Sequence, residues 1–322
     1  MTRTEPAAAM LRPTGISEGI RVRGVTVTTR NHATVLVENL EIDLRSGEIH
    51  ALVGESGSGK SLSALAILGL LPPALEMTGQ ITPALRPGRD VALVMQDPVA
   101  ALDPRWRVGR FLTGQFARLG DLPLSAARTA ARAMLGRLGL TDIDRVMAAY
   151  PHQLSGGMAQ RVMIGAALAG SPAFLLADEP TTALDVTTQA QILSLLQGLC
   201  RDQGLGMLLI THDLGVVAET AARMTVLYGG QVMERGPANA VLPRPVHPYT
   251  RALLRAMPDL ASAAPPAPIA GQPGRPSGRI GCAFAPRCAQ AGPLCTAARP
   301  QLRPRGDGAG DFACHHPEGD AA

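Results

Sequence analysis

Residues 51–61 read ALVGESGSGKS, and Gly54, Gly59, Lys60 and Ser61 fit the phosphate-binding loop pattern G-x-x-x-x-G-K-[ST]. The apolar run at 49–53, broken only by His50, predicts a buried strand before the loop, and residues 62–71 predict the start of a helix after it. That strand–loop–helix setting gives the pattern physical content. Glycines lack a Cβ, so successive N–H groups can close around phosphate oxygens. The helix N-terminus adds unpaired donors and the positive end of its dipole. Gly54, Glu55, Ser56, Gly57, Ser58 and Gly59 are therefore the candidate cradle. Lys60 supplies a mobile cation for the β- and γ-phosphates, and the Ser61 hydroxyl is a candidate Mg²⁺ ligand. Lys60 is also the only lysine in the chain. A composition that uses arginine everywhere else keeps a compact ammonium here, where a planar fork would not serve.

At 322 residues, with 46% hydrophobic and 17% charged, the chain has material for one large α/β domain plus an appendage. Aromatic residues, at 3%, are too few to supply base-stacking platforms, and the net charge of +4 is scattered rather than clustered. Nucleic acid is therefore not an expected partner. The longest apolar stretch, 62–71, is too short to cross a bilayer and ends at Pro72 and Pro73. Residues 1–13 lack the apolar core of a signal peptide. A cytosolic chain is expected, with any membrane role exercised through a partner.

Taken in order, residues 1–18 read as a disordered lead-in. Residues 21–29 and 35–44 alternate as strands do. The Gly- and Pro-rich stretch 78–90 reads as surface turns, and 91–95 (VALVM) as a short buried strand ending at Gln96-Asp97-Pro98. From 99 to 150, Ala and Arg with Leu and Met at helical spacing predict a helical insertion. It closes on Leu154-Ser155-Gly156-Gly157 and an alanine-rich helix. Residues 173–177 (AFLLA) predict a buried strand ending in Asp178-Glu179-Pro180, 187–199 a helix, and 207–210 a strand ending in Thr211-His212-Asp213. Strands alternating with helices predict a parallel sheet with its ligand at the carboxyl ends of the strands.

Five strings now stand in order: GESGSGKS (54–61), QDP (96–98), LSGGMAQR (154–161), LLADEPTTALD (175–185) and ITHD (210–213). As an ordered set they resemble the ATP-binding subunits of ABC transporters, specifically the dipeptide/oligopeptide/nickel importer group, over about residues 20–316. The resemblance implies an α/β fold: a P-loop ABC ATPase domain at 19–257 with a mostly parallel core sheet, an N-terminal antiparallel β part and a helical subdomain at about 99–157. It implies ATP as substrate with Mg²⁺. Asp178, ending a buried strand, is expected to hold Mg²⁺ with Ser61, and Glu179 to accept a proton from the attacking water. His212 is implied as the γ-phosphate contact, and Gln96 as the residue that touches Mg²⁺ or water and senses the permease. For Gln96 a plain polar turn is the other reading. Ser155, Gly156 and Gly157 form a second anion-binding helix start. The family's use for it is a head-to-tail dimer in which each signature caps the nucleotide on the opposite subunit. Asp185 resembles the residue that couples the two sites at the seam.

The sequence departs from the family in two places. No aromatic lies between residues 26 and 32 to stack on adenine, which leaves Arg30 or His32 for that place. The stretch between Gly79 and Val91 is shorter than usual.

Towards the end, HPYTRALLRAMP (247–258) resembles the C-terminal extension of peptide-importer ATPases, and a Pro/Ala/Gly-rich linker follows over 258–280. A small Cys-rich extension at 281–322 carries Cys282, Cys288, Cys295 and Cys314 in the spacing C-x5-C-x6-C-x18-C. In a cytosolic chain, clustered cysteines point to metal before disulfides. The spacing is not that of a zinc finger. Four thiolates can hold a [4Fe–4S] cluster, and GCAFAPRC (281–288) resembles the region that carries one in some family members. Zinc and free structural thiols remain as alternatives, with His315 or His316 able to replace one ligand. Cys200, isolated on a helix, reads as core.

The implied assembly is this chain with a second ATPase subunit (a heterodimer is favoured), two membrane permease subunits and an extracytoplasmic solute-binding protein. The location implied is the cytoplasmic face of the inner membrane, and the cargo is peptide. A nickel importer, a soluble ABC ATPase outside transport and a catalytically silent subunit are the alternatives.

Overall fold

The computed structural model describes Ile16 and residues 19–182, 184–257, 267–272 and 280–319. Apart from Ile16, the expected lead-in at 1–18 lies outside the described residues, as does most of the expected linker at 258–280. Packing divides the chain into two compact units. One takes in Arg45–Glu48 and Ala84–Leu208; the other takes in Ile20–Leu44, Ile49–Pro83 and the chain from Leu209 on.

The second unit begins with β1 (Ile20–Thr29), β2 (Val35–Leu44), β3 (Ile49–Val53), α1 (Lys60–Ile67) and β4 (Leu75–Thr82). β1 lies between β2 and β4 in a three-stranded antiparallel sheet. Along β1 the inward residues are Ile20 and Val22, then Val25 and Val27. The parity changes where the pairing slips between Arg23 and Thr26. Here the structure corrects the sequence reading, which placed turns from residue 78 onward; 75–82 is a strand. Gly79, at φ +99°, does not turn the chain. A Cβ there would lie 2.5 Å from the Gly24 carbonyl oxygen, so the glycine is required by close strand approach at the slip.

The first unit carries β5 (Val91–Val94), α2 (Val108–Leu119), α3 (Leu124–Arg137), α4 (Ile143–Ala148), α5 (Gly156–Ala167), β6 (Phe174–Asp178) and α6 (Val186–Gln203). β5 and β6 pair in parallel, Val91 opposite Phe174. Buried Asp90 organises their start. Its side chain takes bonds from Arg86 at 2.7–2.8 Å, and its carbonyl accepts from Ala173 and Phe174 at 3.0 and 3.1 Å. On α3 the buried residues Ala127, Ala130, Ala131, Met134 and Leu135 recur at three- and four-residue steps, the stripe that fixes a helix on a core. Cys200, on α6, is buried, and burial pushes its thiol up to about 12. It is a core residue, as the sequence suggested.

The strand β7 (Gly206–Thr211) starts in the first unit, where Gly206 and Met207 donate to the carbonyls of Ala173 and Glu48. The second unit continues with α7 (Leu214–Thr220), β8 (Arg223–Tyr228), β9 (Gln231–Pro237), α8 (Ala238–Val241), α9 (Pro248–Arg255), α10 (Pro293–Ala297), β10 (Arg303–Pro304) and β11 (Asp311–Phe312). β3 and β8 run parallel, and antiparallel β9, β11 and β10 extend that edge. The core sheet is mostly parallel, as expected. β3 is buried throughout, with His50 Nε2 2.9 Å from Thr225 Oγ1 on β8. Burial lowers His50 to about 4, so it sits in the core as a neutral ring. Among the described residues no helix is long and apolar enough to cross a membrane.

Candidate active site

The loop between β3 and α1 has the conformation its glycines permit. Gly54, Gly57 and Gly59 lie at φ +153°, +78° and +102°. A Cβ on Gly57 would meet nothing within 4 Å, which leaves open space at the middle of the loop. One on Gly59 would meet Val37 Cγ2 at 2.9 Å, and one on Gly54 the Leu227 carbonyl oxygen at 2.1 Å. The two ends of the loop are therefore pinned by packing while its centre faces space. Gly59 is the N-cap of α1 and provides no side-chain cap, and no acidic residue stands in the first turn. Buried Lys60 folds back across the loop, its Nζ 2.8 Å from the Gly54 and 3.0 Å from the Glu55 carbonyl oxygen. Ser58 Oγ is buried with no hydrogen-bond partner. A cradle with an orphaned hydroxyl, an uncapped helix start and a buried cation fits a polyphosphate.

In the first unit the structure brings two predicted residues together. Glu179 follows β6 in the left-handed conformation, φ +45°, uncommon for a residue with a side chain. Its Oε2 accepts from Gln96 Nε2 at 3.2 Å and from Thr182 Oγ1 at 2.9 Å. Asp178 is the last residue of β6. Thr182 was not singled out from sequence, although it lies in the same string. Near the start of α5, Ser155 is the N-cap, its Oγ accepting from Met158 N at 3.3 Å. Asp185 caps α6 in the same way, taking bonds from Thr188 N at 2.9 Å and Thr188 Oγ1 at 2.8 Å. Those bonds hold its carboxyl below the usual carboxylate range. A Cβ on Gly157 would lie 2.5 Å from Thr188 Cγ2, so the signature loop and the Asp185 cap touch.

His212 is exposed between β7 and α7. Asp213, beside it, caps α7 through Gly215 N at 2.8 Å and Val216 N at 3.3 Å, which fixes the backbone that carries the histidine. Arg30 and His32, the two candidates for the missing adenine aromatic, are both exposed at the β1–β2 turn. His32 is engaged with Glu76, Nδ1 to Oε1 at 2.9 Å.

Residues 37–182 match the family model described as ABC transporter, and 233–295 match the one described as the C-terminal region of oligopeptide/dipeptide transporters. The dipeptide transport ATP-binding protein DppD of Escherichia coli is 42% identical over 304 residues, 88% of this chain and 92% of its own. A putative peptide import ATP-binding protein of Brucella abortus is 41% identical over 316 residues with the same coverage. The chain belongs to the ABC transporter ATP-binding subunits. Among solved structures, a dimeric ATP-binding cassette in a post-hydrolysis state with ADP and phosphate aligns at TM-score 0.58 and 27% identity, covering 68% of this chain and 98% of that one. An inward-facing putative metal-chelate type ABC transporter aligns at TM-score 0.59 and 25% identity, covering 70% and 85%. The protein is an ATPase of this family.

The C-terminal part of this ABC ATPase gives its HPY string a physical sense. His247 is the N-cap of α9, its Nδ1 accepting from Tyr249 N at 3.0 Å, and Pro248 takes the first helical position, where no N–H is needed. Burial lowers His247 to about 3, which keeps the ring neutral and Nδ1 an acceptor. Buried Glu234 receives the N–H groups of Val246 and His247 at 2.9 and 3.1 Å and pairs with Arg305 at 2.8 Å. Tyr249 is fully buried with Tyr228 and Phe284, ring centroids 4.6 and 5.1 Å away. Cys282, Cys295 and Cys288 belong to or pack on the same core.

All four clustered cysteines are free thiols, as is Cys200. Burial raises Cys314 to about 11. Among the described residues no group of three His, Cys, Asp or Glu has metal-holding geometry. Four thiols are donors of a kind that can bind a metal, and among the described residues their spacing does not form a site.

Proposed function

We propose that this ATPase powers peptide import. The observation that carries the reading is likeness to dipeptide and peptide import ATP-binding proteins along 88% of the chain, together with the match of 233–295 to the oligopeptide/dipeptide C-terminal region. A glutathione import ATP-binding protein, GsiA of Escherichia coli, is also 42% identical over 251 residues, 72% of this chain and 40% of its own, and glutathione is itself a tripeptide.

In this reading residues 54–61 cradle the triphosphate, with Lys60 on the β- and γ-phosphates. Ser61 and Asp178 would hold Mg²⁺, with Gln96 beside it; the ion supplies neutralisation of phosphate charge. Glu179 takes the proton of the water whose oxygen bonds to the γ-phosphorus, while the bond to the ADP oxygen breaks and phosphate leaves. Gln96 and Thr182 orient that carboxylate, and the bond from Gln96 supports its place there. His212 steadies the γ-phosphate. Ser155, Gly156 and Gly157 cap the nucleotide held by a second ATPase subunit, with Asp185 at the seam. The subunit pair, a heterodimer, sits on the cytoplasmic face of the inner membrane beneath two permease subunits fed by a solute-binding protein. The four cysteines bind a [4Fe–4S] cluster, with zinc as the alternative; four thiol donors within residues 282–314 support this, and their present spacing requires them to draw together. Neither iron with sulfide nor zinc in protein purified anaerobically would remove both.

Uptake in the native cell, wild type against Lys60→Ala, tests the function with labelled dipeptide, longer peptide and nickel side by side. Loss of peptide uptake alone is expected. Loss of nickel uptake alone, or of none, overturns the cargo assignment.

A further inference from the structure

A phosphate-binding loop that contains a carboxylate poses an electrostatic problem. Glu55 is the second residue of the loop, one position from Ser56 and two from the open space at Gly57. Left alone, its charge opposes a bound triphosphate. The structure answers with Arg287, 232 residues further along the chain, from a short turn at Ala285–Arg287 in the cysteine-bearing extension. The two guanidinium ends grip the two carboxylate oxygens at 2.5 and 3.1 Å, a bidentate pair. The Arg287 side chain is 5% exposed. Its remaining N–H groups reach Tyr228 Oη at 3.1 Å and the carbonyls of Ile269 and Ala270 at 3.0 and 2.7 Å, so all five donors are used. Phe284, three residues before it, packs edge-on against Tyr228 with centroids 5.2 Å apart. Tyr249 adds a second hold, its Oη accepting from Glu55 N at 2.9 Å. Glu55 is thus fixed at its N–H, at its carboxylate and, through Lys60, at its carbonyl.

We propose that Arg287 is a positioning residue of the nucleotide site: acting through Glu55, it cancels the loop's wrong-signed charge and sets its shape, which makes the extension part of the ATP-binding machinery. The inference rests on the loop as the ATP cradle and is independent of the cargo. Arg287 itself need not touch nucleotide.

The test is equilibrium binding of a fluorescent ATP analogue to the full chain, with thermal midpoints recorded without nucleotide. Arg287→Ala leaves a carboxylate on the loop with no counter-charge, and affinity is expected to fall roughly tenfold. Adding Glu55→Gln removes the repulsion, so the double variant recovers most of that loss, and the deficit of Arg287→Ala shrinks at high salt. A merely structural arginine gives neither rescue nor salt dependence. Arg287→Gln, neutral and of similar length, carries the same test if the alanine variant does not fold. Unchanged affinity in folded Arg287→Ala or Arg287→Gln, or a double variant as weak as the single, overturns the proposal. Wild-type protein that failed to bind the analogue would instead sink the ATP-site reading itself.

Discussion

Helices α1 and α5 both begin on glycine-bearing loops, and in sequence both read as places where backbone donors meet an anion. The structure builds them differently. α1 begins at Gly59, φ +102°, with no side chain laid over its first turn. α5 begins at Ser155, extended, with Oγ already on Met158 N at 3.3 Å. Donors at a helix start are either covered by the chain or kept for something that binds. In this protein the start of α1 carries no side-chain cap, and the start of α5 carries the Ser155 hydroxyl. A third start, that of α9, is covered by a ring nitrogen, His247 Nδ1, which protonation can remove.

Both helix starts hold nucleotide in the proposed reading, and Glu179 separates holding from cleaving. Glu179→Gln keeps a polar oxygen for Gln96 and Thr182 but cannot accept a proton. Turnover is expected to fall by about 10²–10⁴ while ATP binding stays near wild type. ATPase rates of the assembled complex and nucleotide binding by the chain measure the two; equal loss of both would move Glu179 into the cradle.

Gly59→Ala strikes the uncapped start directly. The left-handed conformation costs about 1–2 kcal/mol for a residue with a side chain, and the new Cβ, 2.9 Å from Val37 Cγ2, adds an overpacking cost of about 1–3 kcal/mol. Denaturant midpoints and ATP affinity should fall together, because the strain sits in the cradle. A destabilised protein with unchanged affinity would show that the start of α1 is not where phosphate binds.

The motifs were legible because each is contiguous and its chemistry needs neighbours in sequence: glycines before a helix, acids after a strand. What escaped reading depends on distance. β4 reads as turns because LEMTGQIT carries a glycine, and the reason for Gly79, the facing Gly24 carbonyl, lies 55 positions earlier. β8 and β9 have no local signal because MTVLY carries no motif, yet β8 is the strand that pairs with β3. The string GCAFAPRC signals through its cysteines, while its arginine, joined to Glu55, has no local signal at all. Whether the cysteines ligate is not encoded in spacing.

His247 makes the α9 cap depend on pH. Its pKa is about 3 in the fold, against roughly 6.5 in an unfolded chain. Below about 6.5 the unfolded chain takes a proton that the folded chain refuses, so stability is full above that pH and falls as pH drops. At pH 5 the loss approaches about 2 kcal/mol. His50, lowered to about 4, contributes in the same direction. Buried Glu234, whose carboxyl is raised, contributes with the opposite sign. His247→Asn keeps an oxygen acceptor for Tyr249 N and removes the titration. Its melting temperature should therefore fall less than that of wild type between about pH 7.5 and 5. Parallel curves would mean that the cap is not held by the neutral ring.

Ser155 is where the α1 and α5 starts differ by a single hydroxyl. Ser155→Ala removes the hydroxyl over Met158 N and should cost the chain about 1 kcal/mol, the usual worth of such a cap. Thermal unfolding of the isolated subunit measures that. In the assembled complex the proposed partner nucleotide sits over the same helix start and can satisfy the exposed donor itself. The melting difference between wild type and Ser155→Ala should then narrow when ATP is added to a complex that also carries Glu179→Gln, where the nucleotide is held uncleaved. A difference that stays constant would mean that no anion reaches α5, and its helix start would be capped for the fold alone.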